Sequence, residues 1–125
     1  MKQNSFRELD AYKEGKKLIK EVYRLLKKFP KEEQYAMCDQ LRRAAISITS
    51  NIAEGSGRNS FKEKVHFLEF SYGSLMEVLS QMDVACDIEY ITVEEFNNFE
   101  VMVENVGRLL SGLKNYFARQ YNPNL

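Results

Sequence analysis

Residues 61–87 read FKEKVHFLEFSYGSLMEVLSQMDVACD, and their periodicity decides the fold. Phe61, Val65, Leu68, Tyr72, Leu75, Leu79, Met82 and Cys86 recur at steps of 4 and 3. A helix turns once every ~3.6 residues, so such steps line one face and mark a bundle seam; a strand would alternate every second residue. Ser60 and Glu63 stand where a capping box starts such a helix. Phe67, Phe70 and Met76 lie off the seam and widen the apolar surface.

Upstream, MCDQLRRAAISITSNIAEGSGRNS occupies residues 37–60. Cys38, Leu41, Ala45, Ile48 and Ile52 form its stripe, and Pro30 suits the first position of a helix over 31–54. Gly55 is expected as a left-handed terminator, with Gly55-Ser-Gly57 turning the chain and Arg58 just beyond. Earlier still, Ser5 and Glu8 read as a capping box for a helix over 7–28, faced by Leu18, Ile19, Val22, Leu25, Leu26 and Phe29. Gly15 weakens that helix by roughly 1 kcal/mol against Ala unless another helix approaches closely there. Downstream, Thr92 and Glu95 cap a helix over 93–120 whose stripe is Phe96, Phe99, Val103, Val106, Leu110, Leu113 and Phe117; residues 121–125 fray. At about 1.5 Å per residue these helices span roughly 33 to 42 Å, well enough matched to share one core. The expected architecture is all-α: one antiparallel up-down-up-down four-helix bundle over residues 1–125.

A chain of 125 residues with 44% hydrophobic and 29% charged content is globular, and it carries no apolar run of membrane-spanning length. The opening MKQNSFRELD has no apolar segment, which argues against a secretory signal. Cys38 and Cys86 fall at core spacing without a metal or redox motif, so they read as free thiols in a reducing cytoplasm. The net charge of zero hides an asymmetry: residues 1–31 hold ten Lys/Arg and four acids, residues 61–125 ten acids and five Lys/Arg. That polarity fits either attraction of a polyanion or two oppositely charged helices lying side by side.

Candidate chemistry is sparse. Glu63 and His66 have the Glu-x-x-His spacing of a di-iron bundle, but His66 is the only histidine and such a site needs two motifs. Gly55-Ser-Gly57-Arg58 lacks the lysine and the preceding strand of a phosphate-binding loop. The hydroxyls and thiols have no base evidently placed to activate them, so no enzyme and no cofactor are expected. Arg42 and Arg43 more plausibly meet carboxylates of the next helix, Glu69 or Glu77, across the gap left by Gly73, or Glu54 on their own helix. Ser47, Asn51 and Ser74 complete that expected interhelical network, and phosphate contact by the arginines is the rival reading. Lys13, Lys16, Lys17, Lys20, Arg24, Lys27 and Lys28 form a basic ridge that can contact nucleic acid or simply stay solvated. Apolar residues beside the stripes, such as Met102, Leu109 and Tyr116, suggest burial on a second side and therefore homo-oligomerisation.

Phe29-Pro30, Gln40-Leu-Arg-Arg-Ala-Ala45, Ser47, Asn51-Ile-Ala-Glu-Gly55, Gly57-Arg58, Gly73-Ser-Leu75 and Glu77 together resemble the small bacterial four-helix-bundle proteins associated with intervening sequences of 23S ribosomal RNA genes. The resemblance covers nearly the whole chain. It implies a non-catalytic scaffold or adaptor that assembles as a homopentamer. A related branch, the accessory proteins of diversity-generating retroelements, implies an alternative: a nucleic-acid-binding accessory acting with a reverse transcriptase or another RNA/DNA enzyme.

Overall fold

In a computed structural model, residues 5–122 are described and four helices carry the chain. They are α1 (Asp10–Leu26), α2 (Met37–Ser56), α3 (Phe61–Asp87) and α4 (Val93–Tyr121). Lys2, residues 123–125 of the expected fray and the first four residues of the segment read against a signal lie outside the described residues. Each helix packs on its neighbours in sequence, and α1 closes the ring on α4; among the described residues the backbones of the diagonal pairs do not approach one another closely. Directions follow from the contacts. Gly55 lies against Phe67 and Lys64, while Ser47 meets Ser74, so α2 and α3 are antiparallel. Phe61 stacks on Tyr121 and Gly107 faces Leu75, which makes α3 and α4 antiparallel as well. Lys28 bonds Glu95 while Glu14 accepts from Asn105, so α4 also runs against α1.

The α2 stripe is buried as its spacing predicts, and so is the α4 stripe from Phe99 to Phe117, while Phe96 at its start is only partly buried; Leu41, Ile48, Ile52 and Phe99 are buried completely. In α3 the buried face is rotated by about one position. Leu68, Ser71, Leu75, Val78, Met82 and Ala85 point inward, whereas Tyr72 is 48% exposed and Leu79 and Cys86 are only half-buried. The small Ser71 and Ala85 let α3 lie close to α2. Ser71 is fully buried and donates to the Ile48 carbonyl oxygen at 2.7 Å. Gly15 is similarly explained: a Cβ there would stand 2.9 Å from Thr49 Cγ2, so α1 and α2 touch at this point.

The first two helices begin later than the spacing predicts. A short 3₁₀ turn, Phe6–Glu8, precedes α1, and Leu9 is extended between them. Ser5 accepts from the Arg7 amide, and Glu8 lies 3.8 Å from Lys13 instead of closing a capping box. A second 3₁₀ turn, Lys31–Glu33, follows Pro30, and α2 starts only at Met37. There the Gln34 carbonyl accepts from Arg42 and the Glu33 carboxylate from Tyr90, side-chain bonds that hold this corner open. Gly55 corrects another expectation. It lies inside α2, buried, and its backbone is not left-handed; Gly57 is the cap residue, at φ −86.

The left-handed residue is Glu89, at φ 67, just past α3. Tyr90 N donates to Ala85 O at 2.8 Å and Glu89 N to Cys86 O at 3.0 Å, a Schellman pair. A side chain at this φ costs about 1 kcal/mol that glycine avoids. Glu89→Gly is therefore expected to raise stability by about 1 kcal/mol, seen as a higher urea midpoint with an unchanged slope.

At the same end Glu95 completes the α4 capping box with Thr92 and accepts from Lys28. The Lys28 hydrogen bond, then the Thr92 amide, hold its carboxyl below the ordinary value of 4.5. A depressed folded-state pKa stabilises the fold above the ordinary value, and that contribution disappears as pH falls through the folded-state value. Glu95→Gln should lower stability at neutral pH and flatten its decline between about pH 5 and pH 3, followed by chemical denaturation at each pH.

Candidate functional site

The rotation of α3 creates the main surface feature. Tyr72, half exposed, and Met76 and Leu79, partly buried against the core, line a groove of about 810 Å³ with Gly107, Ser111 and Gly112 of α4. A smaller hollow of about 260 Å³ shares Tyr72 and Ser111 with it, and shares Glu69 and Lys114 with a third of about 850 Å³ near Arg58 and Phe67. The three run on from one another along α3. The helical glycines keep the groove open: a Cβ at Gly112 would meet nothing within 4 Å, and one at Gly107 only Leu75 and Tyr72 at 3.8 Å.

The expected network across α2 and α3 divides into a part that forms and a part that does not. Asn51 donates to the Ser47 carbonyl at 2.8 Å and to Ser47 Oγ at 2.9 Å, while Ser74 Oγ donates to Ser47 Oγ at 2.8 Å. The Asn51 bonds stay within α2; the Ser74 bond joins the two helices, as does Ser71, which the stripe reading passed over because it sits between two seam leucines. Its spacing, three after Leu68 and four before Leu75, was the available signal. Arg42 and Arg43 do not reach α3. Arg42 donates to the Gln34 carbonyl at 2.9 Å, and Arg43 lies 3.4 Å from Asp39, one turn back on its own helix. Glu69 is unsuited as their partner because it lines the α3–α4 hollows, on the side of α3 turned from α2. Glu77 instead accepts from Gln81 at 3.2 Å. Glu54 does bind an arginine, but it is Arg58, at 2.7 Å.

Arg58 anchors the corner between α2 and α3, its guanidinium 4.7 Å from the Phe67 ring centroid. Gly55 and Gly57 thus serve close packing and a helix end, and the corner is tied by aromatic and ionic contacts. Beside it Lys64 donates to the Ser56 carbonyl at 3.0 Å and stands 4.6 Å from the Phe117 ring centroid; burial pulls its pKa down. His66 packs edge-on against Phe70, with centroids 4.4 Å apart.

On α1 much of the basic ridge is already answered by acids of the same chain. Lys17 pairs with Glu14 at 2.9 Å, Arg24 with Glu21 at 2.7 Å, Lys13 with Glu8 at 3.8 Å, and Lys28 with Glu95. The Glu21 hydrogen bond raises the Arg24 pKa further. Lys16, Lys20 and Lys27 are exposed and form no ion pair among the described residues; Lys16 lies 5.3 Å from the Tyr12 ring centroid. No described helix is long and apolar enough to cross a membrane.

No curated protein matches the sequence. A family model described as 23S rRNA-intervening sequence protein matches residues 7–112, which take in α1 to α3 and two thirds of α4. With its four packed helices, the chain belongs to the 23S rRNA-intervening sequence protein family.

Proposed function

We propose that this protein is a non-catalytic helical-bundle scaffold or adaptor that works as a homo-oligomer. The observation that carries this reading is the α3–α4 groove, whose apolar floor of Tyr72, Met76 and Leu79 is only partly covered within a single copy. Five copies are the number suggested by the family resemblance. Light scattering on a sizing column should then give about five times the 14.6 kDa of one chain. A concentration-independent monomer would sink the proposal.

The second reading is a nucleic-acid-binding accessory protein that works beside a reverse transcriptase or a similar enzyme. Lys16, Lys20 and Lys27, without acidic partners among the described residues, favour it. Binding to RNA or duplex DNA would then weaken steeply with salt and with reversal of these charges.

A further inference from the structure

The groove has a charge to match its shape. Between Lys64 and Arg108 the chain has nine acidic residues and no lysine or arginine. Two of them, Glu100 and Glu104, line the groove and form no ion pair among the described residues; Arg108 at its edge, turned to Asn105, is the single basic residue of the lining and leaves the groove net acidic. On α4, Glu100, Glu104, Gly107 and Ser111 recur at steps of 4, 3 and 4, and on α3 Tyr72, Met76 and Leu79 at 4 and 3. These are two sides of a seam that lacks its third helix.

The same chain carries a surface of that description. Lys16, Lys20 and Tyr23 on α1 and Lys27 at its C-cap are exposed at steps of 4, 3 and 4, and the three lysines form no ion pair among the described residues. Lysine stems can lie along an apolar floor while their ammonium groups reach its acidic rim. Tyr23, 41% exposed, offers a flat ring of the size that a glycine-lined hollow admits.

We infer that a second copy of this chain seats the Lys16–Lys20–Tyr23–Lys27 ridge of its α1 in the α3–α4 groove. Lys16 and Lys20 then face Glu100 and Glu104, and Tyr23 enters beside Gly107. This rests on the self-association proposed above and specifies its two surfaces. Ridge and groove are different patches, so the contact is head-to-tail: every copy has one of each, and assembly consumes the lysines that would otherwise meet a polyanion.

Charge reversal tests it by light scattering on a sizing column. Lys16→Glu/Lys20→Glu should weaken association about 100-fold, and Glu100→Lys/Glu104→Lys equally, because like charges then face each other. Carrying all four substitutions on one chain should restore the wild-type mass, since every acidic ridge then finds a basic groove. Raising salt from about 0.05 to 0.5 M should loosen the wild-type assembly, a readout that needs no variant. Wild-type mass retained by both variants, or an assembly indifferent to salt, overturns this docking while self-association stands. A wild-type monomer defeats the scaffold proposal itself. If Lys16→Glu/Lys20→Glu abolishes RNA binding but keeps the multimer, the ridge is a nucleic-acid face and the docking is wrong.

Discussion

Phe99→Ala is expected to lower the stability of the fold by about 3 to 5 kcal/mol, the largest effect of any single truncation considered for this bundle. Phe99 has no exposed surface, and it lies on the α4 stripe between Phe96 and Val103. Removing the ring forfeits its transfer from water and leaves a cavity that four rigid helices cannot fully close. A domain of this size has roughly 5 to 15 kcal/mol in total, so the loss is a large share. Urea unfolding followed by circular dichroism measures it, as a lower midpoint with a similar slope. A loss under about 1 kcal/mol would mean that the ring is not buried as described. Val93, 67% exposed, is the control: its replacement by alanine should change stability by less than about 0.5 kcal/mol.

The second large effect has a sign opposite to helix propensity. In an open helical position, glycine to alanine gains about 1 kcal/mol, and Gly73→Ala is expected to do so because a Cβ there meets nothing within 4 Å. At Gly55 the same atom would stand 3.0 Å from Phe67 Cβ and 3.2 Å from the Lys64 carbonyl oxygen. Neither neighbour is the far end of a flexible chain, so α2 and α3 must separate. Gly55→Val should therefore cost about 3 kcal/mol, and Gly55→Ala less, by the usual penalty for overpacking. The pair of substitutions, one stabilising at Gly73 and one destabilising at Gly55, is read from two melting curves. Gly55→Ala as stable as wild type would refute the close approach.

Most of this fold was legible in the sequence because α4 and α2 carry stripes with few competitors. Phe99, Val103, Val106 and Leu110 share one face of α4, and burial selects it over Met102, Leu109 and Tyr116 beside it. α3 is different, with Phe67, Phe70, Tyr72, Met76 and Val84 spread round its circumference. Counting apolar residues favoured Tyr72, Leu79 and Cys86, while the fold buries Ser71, Val78 and Ala85. A seam chosen by close approach of small residues does not show in a hydrophobic count. The start of α2 was hidden for a related reason: the bonds from Arg42 to Gln34 and from Tyr90 to Glu33 come from residues distant along the chain. Of the candidate site, the Ser47–Asn51–Ser74 cluster could be read from the chain. The arginine partners could not: Glu54, Glu69 and Glu77 were the expected carboxylates, whereas Arg43 lies by Asp39 and Arg42 bonds the Gln34 carbonyl, a choice that the facing of α3 settles.

The buried hydroxyl of Ser71 carries a consequence of its own. With apolar groups all round α3, several rotations about its axis would cover similar amounts of hydrocarbon, so burial alone leaves the helix free to choose among near-equal settings. The bonds from Ser71 to the Ile48 carbonyl and from Ser74 to Ser47 form in only one of them. Each contributes about 1 kcal/mol, little beside the core. Their weight lies in discrimination: they make one azimuth of α3 the native one, and so fix which side of the molecule is presented to the outside.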